Sequence, residues 1–180
     1  KKSEGGGVLM DLSHEIDLAV WFLGKPDEIY CERQKITNLE SNVEDVSKII
    51  FNNNKNKTLC SISLDFIQTK YSRSIKIILD DKTIFFDYKK NQIFIYSSKK
   101  TKIINFADNM YDAYYKQINF FLKKFDKKEK NNLTKYANIK SSLDLTKIIF
   151  LLFKSAKLKK KLKFKYIKYE KIYYQKKILQ

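Results

Sequence analysis

The stretch GGGVLMDLSHEIDLAVWFLG, residues 5–24, holds all four glycines of the chain, its only histidine and its only tryptophan. Its apolar residues return every three or four positions, which predicts a helix over residues 8–23. Gly24 and then Pro26 supply the stop for that helix. The three glycines in front of it accept positive φ angles and carry no side chain, so another backbone or a ligand can approach closely.

Asp11 and His14 lie three residues apart in the predicted helix and are expected to project from one face. A carboxylate and an imidazole beside an open helix start can handle protons near neutral pH. The same spacing also fits a structural alternative, in which Asp11 lies in the first turn and His14 faces solvent. The spacing alone leaves both interpretations open.

Beyond Asp27 the pattern changes to short runs rich in Ile, Phe, Tyr, Thr and Ser, which turn residues separate. A spacing of about ten residues between these runs predicts an antiparallel meander. The predicted strands are Glu28–Lys35, Val46–Asn52, Leu59–Thr69, Ser72–Leu79, Thr83–Tyr88, Gln92–Ser97 and Thr101–Asn105.

Two further helices and a closing strand are predicted after the meander. The first helix has Asp108-Asn109 as its cap, and its apolar side consists of Met110, Tyr111, Tyr114, Tyr115, Ile118, Phe121, Leu122 and Phe125. The second has Ser141 or Ser142 as its cap, and it buries Leu145, Ile148, Ile149, Leu152 and Ala156. Residues 161–166 alternate between lysine and apolar side chains, as in a strand whose lysines point outward. The predicted fold class is α+β, a mainly antiparallel open sheet with helices packed on one face.

Several kinds of site are not predicted. The Gly5–Gly7 run has neither the G-x-G-x-x-G spacing nor the Lys-Ser/Thr of a phosphate loop, so no cofactor-binding residues are expected in this chain alone. Cys31 and Cys60 have no metal-ligand spacing, which predicts no metal site and reduced thiols in a cytoplasmic protein. No apolar run reaches the roughly 18 residues of a membrane helix, so no membrane partner is expected.

The formal net charge of +17 suggests an alternative function, a lysine-rich module that binds nucleic acid or another anionic surface. Its contact surface would be Lys154–Lys177, where aromatic residues alternate with lysines. However, Arg33 and Arg73 are the only arginines, and arginine supplies the bidentate contacts of base and phosphate recognition. The composition therefore favours a solvated lysine surface over a nucleic-acid partner.

The opening stretch resembles the segment that begins the C-terminal domain of the Gfo/Idh/MocA oxidoreductases, the relatives of glucose–fructose oxidoreductase and inositol dehydrogenase. The family's glycine triplet, Asp, His and second Asp match Gly5–Gly7, Asp11, His14 and Asp17, and its aromatic end matches residues 21–24. The resemblance continues to about Lys165, through residues 65–68, Arg73, residues 109–111, 117–122, 141–155 and 162–164.

This resemblance implies that the chain is the C-terminal part of a longer oxidoreductase. In that family an N-terminal Rossmann domain binds NAD or NADP and supplies a lysine used in catalysis. Residues 1–165 would then form a substrate and oligomerisation domain, and residues 166–180 a lysine- and tyrosine-rich tail. His14 would be the acid/base group and Asp11 its neighbour in the site, while Asp17 would be structural. Gln68 and Arg73 would be candidate substrate contacts.

The implied function is that of the substrate-binding domain of an NAD(P)-dependent oxidoreductase, which is inactive without its Rossmann half. The substrate would be a hydroxyl or ketone of a sugar or sugar nucleotide. The expected partners are that small molecule, a Rossmann domain of the same or a companion chain, and further copies of this chain through the sheet face. A third interpretation is a dimerisation remnant whose site residues no longer act.

Overall fold

The computed structural model describes residues 6–38, 40–106, 110–126 and 139–164. The chain divides into two compact units. Unit 1 is made of Lys1–Ile67 and Ile139–Gln180, and unit 2 is Gln68–Asn138. In chain order the elements are α1 (Val8–Asp11), α2 (Ser13–Leu23), β1 (Glu28–Gln34), β2 (Val46–Asn53), β3 (Thr58–Asp65), β4 (Ser74–Ile78), β5 (Lys82–Asp87), β6 (Gln92–Ser97), β7 (Thr101–Asn105), α3 (Met110–Asp126), α4 (Ile139–Leu158) and β8 (Leu162–Lys163).

Unit 1 contains a four-stranded sheet in the order β3-β2-β1-β8, with every neighbouring pair antiparallel. Cys31 pairs with Ile49, which pairs in turn with Ile62, so these three side chains share one face. Tyr30, Ile50 and Ser61 form the next row and share the opposite face. The two faces of this sheet therefore have different compositions.

The helices α1, α2 and α4 supply the apolar side chains that cover the inner face of this sheet. The resulting core consists of Val8, Leu9, Ile16, Ile29, Cys31, Ile49, Phe51, Leu64, Ile148, Ile149, Leu152 and Phe164. Burial of each large apolar side chain contributes about 1.5–3 kcal/mol relative to exposure. The predicted packing of helices on one face of an open antiparallel sheet is thus confirmed in unit 1.

The helix predicted over residues 8–23 is divided at Leu12 into α1 and α2. Leu12 has φ −103° and ψ 24°, outside the helical range. The Glu15 N–H consequently donates to the Leu12 carbonyl, three residues earlier, at 3.0 Å. Asp11 therefore ends one helix, while His14 lies in the first turn of the next.

The predicted stop of this segment is confirmed at Gly24, whose φ of 78° is one that side-chain-bearing residues rarely adopt. The Gly24 N–H donates to the Val20 carbonyl at 2.9 Å. The amide of Asn53, at the end of β2, donates to the carbonyls of Leu23 at 3.2 Å and Lys25 at 3.1 Å. The open carbonyl of Leu23, the last residue of α2, is thereby satisfied.

Unit 2 contains a second four-stranded antiparallel sheet, a meander in the order β4-β5-β6-β7. One of its rows runs through Ile77, Ile84 and Ile95 and ends at Lys102 on β7. None of the residues described in unit 2 is fully buried. The predicted apolar side of α3 is likewise exposed at Tyr111, Tyr114, Tyr115, Ile118, Phe121 and Leu122.

Most predicted strands are confirmed to within one or two residues at each end, but the third is four residues too long. The strand β3 ends at Asp65 because its carboxylate accepts the Ile67 N–H at 3.3 Å, which turns the chain. Ser141 and Ser142 lie inside α4, which begins at Ile139, so the prediction that one of them caps this helix is wrong.

The closing strand is confirmed as β8, which pairs with β1 and leaves Lys161 and Lys163 exposed on either side of Leu162. The predicted cap Asp108-Asn109 and the tail 166–180 lie outside the described residues. The α+β class is confirmed, although the strands divide into two sheets. Among the described helices, none has the length and apolar character needed to cross a bilayer.

Candidate active site

Gly7 forms the entrance to α1 in a space that admits no side chain. Its φ is 125°, and a Cβ built on it would lie 2.6 Å from Oε1 of Glu44. Side-chain-bearing residues rarely adopt this φ, so the backbone conformation favours glycine, and a Cβ would also force the Glu44 carboxylate to shift. A group does approach the glycine run closely, but it is the side chain of Glu44 and not the backbone or ligand that the sequence predicted.

Asp11 is the last residue of α1 and is exposed. Its Oδ2 accepts the Gly7 N–H at 3.4 Å. The Gly7 carbonyl accepts the N–H groups of Met10 at 3.0 Å and Asp11 at 2.9 Å. Asp11 and Gly7 thus close a single turn, and the described residues contain no hydrogen bond from Asp11 to His14.

His14 is the sole imidazole, and its side chain is 57% exposed. Its Nε2 lies 3.2 Å from Oε1 of Glu15, whose side chain is only 17% exposed. A carboxylate beside one ring nitrogen orients the ring and leaves the other nitrogen available. Glu15 is a neighbour of His14 that the sequence analysis did not single out, although its position directly after His14 was the available signal.

The side of α2 that bears His14 is exposed along its length. Asp17 follows at i+3 and Trp21 at i+7, and both are exposed, with Trp21 at 74%. The Asp17 side chain makes no hydrogen bond or ion pair with the described residues. The aromatic end of the motif thus points outward with His14.

Beneath the glycine entrance lies a partly buried ion pair that the sequence analysis missed. The Glu44 side chain is 8% exposed, and its Oε2 accepts Nη1 of Arg33 at 2.8 Å. Its Oε1 accepts the Leu9 N–H at 3.4 Å, and its carbonyl accepts the Val8 N–H at 3.3 Å. Leu9 and Glu44 are 35 positions apart, which explains why no local pattern indicates this contact.

Asp45, the next residue, is also buried and anchors the connection between β1 and β2. Its carboxylate accepts the Thr37 hydroxyl at 2.6 Å and the N–H groups of Ile36 at 2.7 Å and Thr37 at 2.9 Å. These bonds lower the pKa of Asp45 to about 2 despite its burial, and the bond from the Thr37 hydroxyl makes the largest contribution. Asp45 therefore remains ionised at neutral pH.

The two candidate substrate contacts belong to unit 2, whereas Asp11 and His14 belong to unit 1. The Arg73 guanidinium lies 3.8 Å from the ring centroid of Tyr88, in a cation–π contact. Gln68 is exposed. The structure therefore groups Gln68 and Arg73 within one unit, and Asp11 and His14 within the other.

The described residues do not fit a dinucleotide site. Both sheets are antiparallel throughout, and a dinucleotide pocket requires a strand, a glycine-rich turn and a helix in a parallel arrangement. Gly6 and Gly7 precede a helix of four residues. In the part of the chain that the structure describes, no group of three or more His, Cys, Asp and Glu residues is placed to hold a metal ion.

Comparison with solved structures shows the same fold in several oxidoreductases. An oxidoreductase from Pseudomonas syringae superposes with a TM-score of 0.71 at 12% identity, over 90% of this chain and 53% of that one. The WlbA dehydrogenase from Bordetella pertussis, in complex with NADH and UDP-GlcNAcA, gives a TM-score of 0.61 at 16% identity, over 89% and 46%. The UDP-N-acetylglucosamine 3-dehydrogenase GnnA from Acidithiobacillus ferrooxidans gives 0.64 at 15% identity, over 84% and 47%. The chain thus spans about half the length of the structures that it matches.

By its fold, the chain is an α+β domain of the kind found in these oxidoreductases. The family model of the GFO/IDH/MocA C-terminal domain matches residues 1–85 of the chain. The resemblance of the opening stretch is therefore confirmed, while the segment matches beyond residue 85 remain predictions. No curated protein matches the chain in sequence.

Proposed function

We propose that this chain is the substrate-binding and oligomerisation domain of an NAD(P)-dependent oxidoreductase that acts on a sugar or sugar-nucleotide hydroxyl or ketone. His14 is the acid/base group, and Asp11 is its neighbour in the site. The observation that carries the proposal is the exposed side of α2, where a family motif presents the sole imidazole beside a half-buried carboxylate.

The proton chemistry follows from this placement. When the substrate hydroxyl is oxidised, its O–H proton passes to the free ring nitrogen of His14, and in the reverse direction the imidazolium returns it. Glu15, at 3.2 Å from Nε2, stabilises the positive charge that His14 gains. NAD(P), when bound, supplies the hydride acceptor or donor.

The cofactor and substrate assignments rest on the relatives. The Bordetella protein binds NADH and UDP-GlcNAcA, and the Acidithiobacillus protein is a UDP-N-acetylglucosamine dehydrogenase. Since the described residues do not fit a dinucleotide, we propose that a Rossmann domain of the same or a companion chain binds NAD or NADP. Gln68 and Arg73 stay candidate substrate contacts.

The oligomerisation role is supported by the outer face of the unit 1 sheet. Leu59 on β3 is 77% exposed there, and Ile50 on β2 and Tyr30 on β1 lie on the same face. Apolar side chains grouped on an uncovered sheet face are typical of a surface that another protein covers. We propose that a second copy of this chain covers it.

The activity is tested by joining the chain to a Rossmann domain, by fusion or co-expression, and assaying a panel of sugars and sugar nucleotides. Reduction of NAD(P)+ is followed by absorbance. Turnover that depends on a sugar hydroxyl supports the proposal. Turnover of none of these substrates, with the cofactor bound, would contradict it. Salt-dependent binding of DNA or RNA by the chain would favour the lysine-rich module instead.

A further inference from the structure

The carboxylate of Glu44 is shared between two donors from different parts of the fold. Its Oε1 accepts the Leu9 N–H of α1, and its Oε2 accepts Nη1 of Arg33 on β1. Each oxygen therefore has a donor, although the group is almost excluded from solvent. A buried carboxylate is stable only with such partners.

The ion pair connects α1 to the core of unit 1. The Arg33 guanidinium lies 4.6 Å from the ring centroid of Phe153 on α4, so its direction is fixed by stacking as well as by charge. The Val8 N–H donates a hydrogen bond to the Glu44 backbone carbonyl. The first two N–H groups of α1 therefore both donate to Glu44. Glu44 in turn pairs with Arg33 of β1, which stacks on Phe153 of α4.

The position of α1 determines where Asp11 and His14 lie. Asp11 ends α1 and is tied to Gly7, and the Leu12 N–H donates to the Val8 carbonyl at 3.1 Å. The helix α2 begins one residue later, with His14 in its first turn. A displacement of Val8 and Leu9 is therefore transmitted to Asp11 and to the start of α2.

We propose that Glu44, oriented by Arg33, is a positioning residue for Asp11 and His14. The inference deepens the proposed function and rests on it, because it assigns Glu44 to the geometry of the same acid/base site. Glu44 acts through the backbone of α1 and has no contact with the reacting atoms in this assignment.

Glu44→Gln tests the inference because it removes the charge and one acceptor oxygen while keeping the size and shape of the side chain almost unchanged. The amide has one oxygen and one NH2 group, so it can accept from Leu9 or from Arg33, but its NH2 then faces the other donor. The matched control is Asp45→Asn, which removes the adjacent buried carboxylate, whose partners are Ile36 and Thr37. Arg33→Lys is a second variant that keeps the cation and loses the planar group stacked on Phe153.

Two signals report the outcome in the 180-residue chain without any turnover. The first is hydrogen exchange at the Leu9 amide, which we expect to become about tenfold faster in Glu44→Gln. The second is the NMR signal of the imidazole, which belongs to His14 alone because the chain has one histidine. We expect this signal to shift in Glu44→Gln, to shift less in Arg33→Lys, and to stay in place in Asp45→Asn.

An unchanged His14 signal in folded Glu44→Gln would overturn the inference, and so would equal shifts in Glu44→Gln and Asp45→Asn. If Glu44→Gln does not fold, Arg33→Lys decides by the same two signals. In the enzyme completed by a Rossmann domain, Glu44→Gln is expected to lower kcat more than it changes KM. Absence of turnover in the unmutated enzyme would reject the proposed function, while the two signals would still decide the role of Glu44.

Discussion

Gly7 and Gly24 both have positive φ angles, yet their surroundings differ. A Cβ at Gly7 meets the Glu44 carboxylate at 2.6 Å, whereas the nearest atom to a Cβ at Gly24 lies at 3.6 Å. Gly24→Ala is therefore expected to cost about 1–3 kcal/mol of backbone strain. Gly7→Ala should cost the same strain plus the displacement of the Glu44 carboxylate from its ion pair with Arg33, and so lower the free energy of unfolding further. Urea unfolding of both variants measures the difference, and equal losses would show that the Glu44 contact adds nothing.

His14→Ala separates a chemical role from a structural one. The side chain is more than half exposed and outside the core, so its removal should change the free energy of unfolding by no more than about 0.5 kcal/mol. If His14 exchanges the substrate proton, kcat of the enzyme completed by a Rossmann domain should fall about a hundredfold to ten-thousandfold. Asp11→Asn should give a smaller loss in the same direction. Nearly unchanged kcat in folded His14→Ala would remove His14 from the mechanism.

At the scale of elements, the β1–β2 connection contains a pH-dependent anchor. The pKa of Asp45 falls from an ordinary value of 3.8 to about 2 in the folded chain. A lowered pKa means that the anchor stabilises the fold above about pH 4 and is lost as the pH falls towards 2. We expect Asp45→Asn to be less stable than the unmutated chain at pH 7, and the difference to shrink between pH 4 and pH 2. Unfolding by urea across that range measures it, and a difference independent of pH would contradict the assignment.

The strands and the helix α4 could be predicted from the sequence because their patterns are local. In β2, whose bounds the sequence predicts to within one residue, the structure buries Ser47, Ile49 and Phe51 on one side. The apolar spacing in α4 likewise identifies Ile148, Ile149 and Leu152. Period and burial agree in these elements because both follow from the same backbone geometry.

Three features could not be predicted, each for a physical reason. At the break at Leu12, the Glu15 N–H donates to the carbonyl three residues earlier, while the apolar residues keep their helical spacing on both sides of Leu12. The pairing of Glu44 with Leu9 and Arg33 is a tertiary contact without a sequence period. The division of the strands into two sheets could not be predicted because the strands of both sheets have similar lengths and turns.

At the scale of the whole molecule, the outer face of the unit 1 sheet makes association testable. Leu59→Lys places a charge on the edge strand β3, within the proposed contact, and should convert oligomers to monomers in light scattering at micromolar concentration. The control is Ile36→Lys, which changes an exposed isoleucine that follows β1, outside the strands. An unmutated chain that is strictly monomeric, or oligomers that survive Leu59→Lys unchanged, would refute this surface.

Cofactor binding provides a second test at this scale. Because the described sheets are antiparallel, the 180-residue chain is expected to give no saturable change in NADH fluorescence on titration. The enzyme completed by a Rossmann domain serves as the positive control. Saturable micromolar binding of NADH to the chain alone would count against the proposal that a separate Rossmann domain binds the cofactor.

Lys102 ends a row that otherwise contains Ile77, Ile84 and Ile95, and it lies on β7, the last strand of the unit 2 sheet. An edge strand presents unpaired N–H and C=O groups to which a strand from any other chain can add. A lysine within the apolar row makes that addition costly, because the incoming strand would cover its charge. Lys102 therefore disfavours the addition of a further strand at the β7 edge, whatever reaction the chain takes part in.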